Sequence, residues 1–138
     1  MRVEQIMCRQ LVCIGPHEPL ETARRLMADH EVEQLPVVAE DTLLGILSRA
    51  DIRMPLDWPE VIRWMDELEV GEFMDRRPST VPPTASAADA AALMCARSID
   101  CVVVVDDDRL VGVVTRGDVL RALSPTLDEP QQLLRMVH

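Results

Sequence analysis

The 138-residue sequence predicts a small mixed α/β (α+β) fold made of two tandem β-α-β-β-α repeats. Residues 3–52 overlay residues 70–119 without a gap, and fourteen of the fifty pairs are identical. In each copy, one segment with helical periodicity precedes two apolar runs of strand length. Each copy also ends on a similar heptad, GILSRAD at 45–51 and GVVTRGD at 112–118. A duplicated unit with small sheets covered by helices accounts for all three observations.

The first half of each repeat predicts a short strand followed by an amphipathic helix. Residues 11–14 and 80–81 are apolar stretches that run into a proline. In the first copy, Pro19 suits the opening turn of a helix of about three turns. In the second copy, Ser86 and Asp89 resemble a capping box. The first helix has an inner apolar stripe of Leu20, Ala23 and Met27.

The second half of each repeat predicts a β-hairpin. The apolar runs are LPVVA and LLGIL in the first copy and CVVVV and LVGVV in the second. Acidic turns, EDT and DDDR, separate them. The valines at 102–105 make that strand apolar on both faces, as in a sheet covered by helices. We expect each heptad to end the hairpin and start the next helix.

The predicted organisation has four segments. Repeat 1 spans residues 3–52, a helical linker 53–69, repeat 2 residues 70–122, and a tail with a possible short helix 123–138. The linker helix starts at Pro59 and has an apolar stripe, and we expect Trp58 and Trp64 to pack over the seam between the repeats. The linker stripe comprises Val61, Trp64, Met65 and Leu68, and the tail stripe Leu133, Leu134, Met136 and Val137.

Composition excludes several functions. A formal charge of −10 and few aromatic residues argue against binding to nucleic acid or to anionic membranes. No run approaches the roughly 20 apolar residues of a membrane span, and the first ten residues lack a signal-peptide pattern, so a cytoplasmic location is expected. The cysteine spacings match neither zinc nor redox motifs, which predicts buried free thiols. No histidine has a catalytic partner at a useful spacing, so no enzyme activity and no metal are expected.

Three ordered motifs in each copy carry a family resemblance. They are IMCRQLVCIGPHEPLETARRLM, LPVV and GILSRAD, then FMDRRPSTVPPTASAADAAALM, VVVVD and GVVTRGD. Over residues 3–122 the chain resembles the cystathionine β-synthase (CBS) domain pair, or Bateman module. The resemblance implies pseudo-two-fold symmetry, a homodimer and a regulatory role exerted on an unidentified downstream protein. It also implies an adenosine-type nucleotide in the cleft between the repeats. AMP, ADP and ATP are the first candidates, with S-adenosylmethionine or NAD after them, and no cofactor is required.

The heptads supply candidate ligand contacts, because a strand that ends at a helix N-terminus presents unpaired N–H groups to a phosphate. A hydroxyl adds a donor, a guanidinium adds charge, and a carboxylate accepts from ribose hydroxyls. These residues are Ser48, Arg49 and Asp51 in the first copy and Thr115, Arg116 and Asp118 in the second. The resemblance places the base against Val12, Leu35 and Pro36 in one copy and Ser79, Val102 and Val103 in the other.

The heptads have a second interpretation, in which Ser48 and Thr115 are helix caps of a module without ligand that only dimerises or docks on a partner. The position that the family often fills with threonine near the ligand holds Cys8 in one copy and Asp75 in the other. A carboxylate 4 Å from a phosphate costs about 4 kcal/mol at an effective dielectric of about 20. Assigning Asp75 to its own repeat, we expect GILSRAD to be the better site.

Overall fold

The computed structural model describes residues 1–52 and 64–123, which divide into two compact units. The Thr115 unit contains residues 1–11, 79–107 and 111–123, and the Ser48 unit contains 12–52, 64–78 and 108–110. Each unit therefore combines the helix and hairpin of one repeat with the opening segment of the other. Both units mix helices with strands, so the predicted fold class is confirmed.

In the Ser48 unit, helix α1 (Leu20–His30) leads into strands β1 (Gln34–Ala39) and β2 (Thr42–Ser48). Pro19 is the N-cap of α1 rather than its first residue, and α1 has three turns as predicted. The strands form an antiparallel hairpin whose turn residues, Glu40 and Asp41, have positive φ. The buried stripe of α1 is the predicted one and packs in the core with Leu35, Val37 and Leu47.

The strand expected at residues 11–14 is reduced to a bridge at Ile14. The Ile14 N–H donates to the Pro36 carbonyl, and the Val38 N–H donates to the Ile14 carbonyl, so Ile14 lies parallel to Val37. Pro16 follows two residues later and has no N–H with which to continue the ladder. The apolar pattern was recognised correctly, but the proline limits the pairing to one residue.

In the Thr115 unit, the strands follow the order β5 (Arg109–Thr115), β4 (Cys101–Asp106), β3 (Thr80–Val81), with β3 and β4 parallel. Helix α2 (Ala87–Arg97) has its predicted cap, because Ser86 Oγ accepts the Asp89 N–H at 3.0 Å. Helix α3 (Arg116–Leu123) starts directly at the heptad. Residues 102–104 are at most 1% exposed, which confirms the strand buried on both faces.

The described end of the linker, residues 64–69, corrects one expectation. Met65 is 1% exposed and lies in the core of the Ser48 unit, whereas Trp64 is 55% exposed. Met65 and Leu68 take the core-facing positions three residues apart, which leaves the neighbouring Trp64 towards solvent. The prediction that Trp64 packs over a seam is therefore wrong. Trp58, Pro59, Val61 and the stripe of the tail lie outside the described residues.

None of the four cysteines forms a disulfide, but only Cys101 is buried, Cys13 is half-buried, and Cys8 and Cys95 are exposed. The prediction of buried thiols is wrong for Cys8 and Cys95, because Met7 and Met94 beside them take the inward positions. Burial raises the pKa of Cys101 to about 11, with a smaller contribution from Asp100. No helix in the described part of the chain is long and apolar enough to cross a membrane.

Candidate functional site

The first copy of the heptad, GILSRAD, is called the Ser48 copy. It ends strand β2 and enters a short 3₁₀ turn. Ser48 lies opposite Gln34, and the turn covers Arg49–Ile52. The Asp51 Oδ2 atom accepts the Ser48 N–H at 2.8 Å and the Ser48 hydroxyl at 2.9 Å. We expected the Ser48 hydroxyl and the Asp51 carboxylate to contact the same ligand, and the two groups lie within hydrogen-bond distance of each other.

In the second copy of the heptad, called the Thr115 copy, the hydroxyl accepts a hydrogen bond instead of donating one, and the contacts form a reciprocal cap on helix α3. Asp118 Oδ2 accepts the Thr115 N–H at 2.9 Å, and Thr115 Oγ1 accepts the Asp118 N–H at 3.3 Å. Arg121 Nη2 donates to Asp118 Oδ1 at 2.5 Å, and the Asp118 side chain is 14% exposed. Asp118 is therefore held on both of its oxygens, which fixes the carboxylate in one orientation.

Both heptad arginines already have acidic partners. The N–H of Arg49 donates to the Glu33 carbonyl at 2.8 Å, and its guanidinium lies 3.5 Å from the Glu33 carboxylate. Arg116 makes the same two contacts to Asp100. These exposed ion pairs contribute about 0–1 kcal/mol each, so a phosphate can compete for either guanidinium. Sequence reasoning missed Glu33 and Asp100, although the overlay aligns them with each other.

The residues expected to contact the base in the Ser48 copy divide into two groups. Leu35 is fully buried in the core of the unit, so its side chain serves packing. Pro36, the next residue, is also buried, but it points to the opposite face of β1 and lies outside that cluster. Val12 is half-buried and close in sequence to Ile14, whose N–H donates to the Pro36 carbonyl. Val12 also packs against the core cluster that contains Leu35, so Pro36 is the residue of this set that lies on the other face of β1.

The Thr115 copy divides in the same way. Val102 belongs to the core cluster, whereas Val103 is buried outside that cluster and donates its N–H to the Ser79 carbonyl at 3.0 Å. Ser79 is half-buried, and its Oγ accepts a hydrogen bond from Arg97 Nη1 at 2.9 Å. Arg97 had not been predicted. Its repeat counterpart is His30, so the comparison of the copies gave no signal for it.

The structure overturns the placement of Asp75. Asp75 pairs with Ile46 of strand β2, exchanging N–H···O bonds of 2.8 and 3.0 Å, and belongs to the Ser48 unit. Ser48 follows Ile46 by two residues and shares its face of the strand. Cys8 pairs in the same manner with Val113, two residues before Thr115. The carboxylate therefore lies beside GILSRAD, and the electrostatic reason for preferring that copy is wrong.

These pairings explain the glycine of each heptad. A Cβ atom on Gly45 would lie 2.5 Å from the Asp75 carbonyl oxygen. A Cβ atom on Gly112 would collide with the side chain of Met7. In both copies glycine lets the opening segment of the other repeat approach the strand.

The charges near the two heptads differ further. In the Thr115 copy, Arg121 contacts Asp118 and Arg97 contacts Ser79. The repeat counterparts of these arginines are Met54 and His30. Arg76 does not distinguish the copies, because its counterpart Arg9 donates in the same way to the Glu4 carbonyl as Arg76 does to the Gly71 carbonyl. The Ser48 copy has one arginine without a counterpart, Arg77, whose backbone N–H donates to Asp75 Oδ1 at 2.9 Å. The Thr115 copy thus has one more guanidinium group and lacks the added carboxylate.

Outside the heptads, chemistry-bearing groups are sparse. His17 and His30 are exposed, and His17 pairs with Glu69 at 3.3 Å. No group of three or more His, Cys, Asp or Glu side chains in residues 1–52 and 64–123 is arranged to hold a metal ion. The heptad ends are therefore the candidate site.

The profile of the CBS domain matches residues 3–56 and residues 70–125. The chain belongs to the CBS domain family. The two matched stretches correspond to the two repeats, so the chain carries a tandem CBS pair. The duplicated architecture expected from the sequence is thereby confirmed.

Known proteins agree with this assignment. The CBS domain-containing protein YhcV of Bacillus subtilis is 31% identical over 117 residues, covering 84% of this chain and 81% of YhcV. CBSX2, a CBS-pair protein of Arabidopsis thaliana solved in complex with AMP, is 30% identical with a TM-score of 0.76. That match covers 88% of this chain and 95% of CBSX2.

A longer relative has the same CBS region. Inosine-5'-monophosphate dehydrogenase of Korarchaeum cryptofilum is 31% identical over 119 residues, which cover 86% of this chain. The match covers 23% of the dehydrogenase, so this CBS pair spans about a quarter of that enzyme's length.

Proposed function

We propose that this CBS pair is a non-catalytic regulatory module that binds an adenosine-type nucleotide, AMP, ADP or ATP, at its heptad ends. The observation that carries the proposal is the repeated hydroxyl, guanidinium and carboxylate at the end of a strand in each copy. The complex of CBSX2 with AMP supports the ligand class. S-adenosylmethionine and NAD share the adenosine group and are further candidates.

The Thr115 copy has the stronger contacts for a phosphate. The N-terminus of α3 supplies N–H groups and the positive end of the helix dipole. The exposed guanidinium of Arg116 can exchange Asp100 for a phosphate at little cost. Asp118 is oriented by Arg121 and accepts hydrogen bonds from ribose hydroxyls in place of the Thr115 N–H. Binding therefore replaces contacts within the cap by contacts to the ligand.

The Ser48 copy offers a weaker version of this chemistry. Its hydroxyl, guanidinium and carboxylate match those of the Thr115 copy, but Asp75 adds a negative charge on the same face of β2. We propose that this copy binds nucleotide with lower affinity. Binding changes the conformation or the association of the module, and a downstream protein detects that change.

A thermal-shift panel with AMP, ADP, ATP, NAD and S-adenosylmethionine tests the proposed function. At one hundred times Kd, one site adds about 2.7 kcal/mol to the free energy of unfolding. The variant that combines Asp51→Ala with Asp118→Ala is the control, because it removes both ribose acceptors, and we expect it to lose the shift. Absence of a shift with every compound at millimolar concentration would contradict nucleotide sensing.

A second candidate function is a ligand-free interaction module, favoured by the fact that both heptads form internal hydrogen bonds and that the Thr115 heptad satisfies its own cap. Ser48, Asp51, Thr115 and Asp118 form hydrogen bonds with each other at 2.8–3.3 Å. On this alternative, Asp118→Ala lowers the free energy of unfolding by about 1 kcal/mol and changes nothing else. Equal stability loss with and without nucleotide would favour the alternative.

We also propose that the module is a homodimer in the cytoplasm. Leu120 and Leu123 lie three residues apart on α3 and are 52% and 53% exposed. A second copy of the chain would cover this apolar pair. Sedimentation of the wild type and of Leu120→Glu at tens of micromolar tests the association, with Ala88→Glu on α2 as a control at another exposed helical position. A wild type that sediments as a monomer would contradict the dimer.

A further inference from the structure

The two copies differ at one residue of the expected base site. Val12 of the Ser48 copy corresponds to Ser79 of the Thr115 copy. Ser79 is not an isolated polar substitution, because the Arg97 guanidinium donates to its hydroxyl oxygen at 2.9 Å. Arg97 is the last residue of helix α2, and the Ser79 carbonyl accepts the N–H of Val103. The end of the helix and strands β3 and β4 therefore meet at Ser79. The base side of this copy is polar, whereas that of the other copy is apolar.

The polar groups at this position are donors. A guanidinium has five N–H donors and no acceptor, and the contact to Ser79 uses one nitrogen. Since the Ser79 oxygen accepts from Arg97, the hydroxyl hydrogen is left to donate. A base that meets this pair gains most if its edge presents acceptors.

Purine bases differ in this respect. Guanine presents two adjacent acceptors, O6 and N7, and arginine binds both in a bidentate arrangement. Hypoxanthine has the same carbonyl at C6. Adenine presents N7 beside an amino donor at C6, which faces the guanidinium unfavourably. Val12 offers no side-chain polar atom, so the Ser48 copy makes no such distinction.

We propose that Arg97 and Ser79 make the Thr115 copy selective for nucleotides of 6-oxopurines, guanine or hypoxanthine, over those of adenine. The proposal rests on the proposed function, because it requires that a nucleotide binds at Thr115 and Asp118. The contacts to phosphate and ribose do not depend on the base, so adenosine nucleotides still bind there with lower affinity. The module would then respond to 6-oxopurine nucleotides at the Thr115 copy and to either purine class at the Ser48 copy.

Isothermal titration of GMP and AMP into the full-length Asp51→Ala variant, which keeps the Thr115 copy, tests the selectivity. A good bidentate contact discriminates by about 1–3 kcal/mol, so we expect GMP to bind about 5- to 150-fold more tightly than AMP. Adding Arg97→Met or Ser79→Val should reduce the ratio to within about threefold, because GMP loses more affinity than AMP. The matched control His30→Ala alters the corresponding position of the other copy and should keep the ratio.

The outcomes separate the two proposals. Equal affinity for GMP and AMP in Asp51→Ala overturns the selectivity and leaves nucleotide binding intact. An equal loss of both ligands in Arg97→Met also overturns it, because Arg97 would then contact the phosphate. If neither nucleotide binds to the wild type, the proposed function fails first. Thermal unfolding of each variant shows whether it is folded before titration.

Discussion

The Ser48 and Thr115 copies have similar sequences, but their electrostatic surroundings differ. Both place a hydroxyl, a guanidinium and a carboxylate at the end of a strand, and both pair that arginine with an acid. The difference comes from residues outside the heptads. Asp75 lies opposite β2, whereas Cys8 lies opposite β5. A duplicated motif therefore predicts shared geometry, while the segment paired with its strand decides how well it accepts a phosphate.

The largest expected effect comes from the heptad glycines. Gly45→Ala places a Cβ atom 2.5 Å from the Asp75 carbonyl, and a backbone atom cannot move away cheaply. We expect a loss of about 2–3 kcal/mol in the free energy of unfolding. Gly112→Ala should cost less, because its neighbour is the flexible side chain of Met7. Denaturant unfolding measures both.

Gly15→Ala is the matched control for these variants. A Cβ atom there would lie 3.8 Å from Glu18 Cγ, an ordinary contact, and Gly15 does not have positive φ. We expect a change within about 0.5 kcal/mol. A Gly45 variant as stable as the Gly15 variant would show that the segment around Asp75 does not lie against β2.

The next largest effect is a difference in reactivity among the cysteines. It is measured as their reaction rates with a thiol reagent at pH 8. The pKa of Cys101 is raised from 9.0 to about 11, which lowers its thiolate fraction about a hundredfold. Cys8 and Cys95 are exposed and should react first. Because Cys8 pairs next to the Thr115 heptad, nucleotide should slow its labelling. Cys95, on α2, serves as the internal control, and equal protection of both would argue against binding at Thr115.

Exchanging the residues at positions 8 and 75 should reverse which copy binds AMP more tightly. Asp75→Cys removes the carboxylate from the Ser48 copy, and we expect AMP to bind that copy about tenfold more tightly. Cys8→Asp should weaken the Thr115 copy by a similar factor. At about 7 Å and an effective dielectric of about 20–80, the repulsion is about 0.6–2.4 kcal/mol. Titration in variants that retain one copy measures each change, and unchanged affinities would contradict this electrostatic explanation.

The smallest effect concerns acid stability of helix α1. A hydrogen bond from Arg24 lowers the pKa of Glu21, and the contacts measure 2.5 and 2.9 Å. A lowered folded-state pKa stabilises the fold above the unfolded value near 4.5, and that stability is lost as the pH falls through the folded value. Glu21→Gln should therefore be less stable than wild type at pH 6 by less than about 1 kcal/mol, and the difference should shrink at pH 3. A constant difference would exclude the ion pair as its cause.

Much of the fold follows from local sequence patterns. The overlay predicted both hairpins and both heptads, and the periodic stripe of Leu20, Ala23 and Met27 is the buried face of α1. The sequence did not indicate which strand the opening segment of each repeat pairs with. Asp75 was therefore assigned to its own repeat, although its backbone pairs with Ile46.

The sequence predicted the candidate site only at positions where the two copies have matching residues. Each hydroxyl and carboxylate of the heptads occupies the position its spacing indicated. Arg97 and Ser79 were not recognisable as a pair, because they are 18 residues apart and have no counterpart in the other copy. Trp64 was misplaced because a large apolar side chain was assumed to be buried, although Met65 takes the core position.

The most direct test of the difference between the copies is the gain in affinity from adenosine to AMP in two single-copy variants. Adenosine and AMP share base and ribose, so their difference reports the phosphate alone. Calorimetry of Asp51→Ala, which keeps the Thr115 copy, should show AMP binding at least tenfold more tightly than adenosine. Asp118→Ala, which keeps the Ser48 copy beside Asp75, should show a gain below about threefold. A larger gain in Asp118→Ala than in Asp51→Ala would contradict the account.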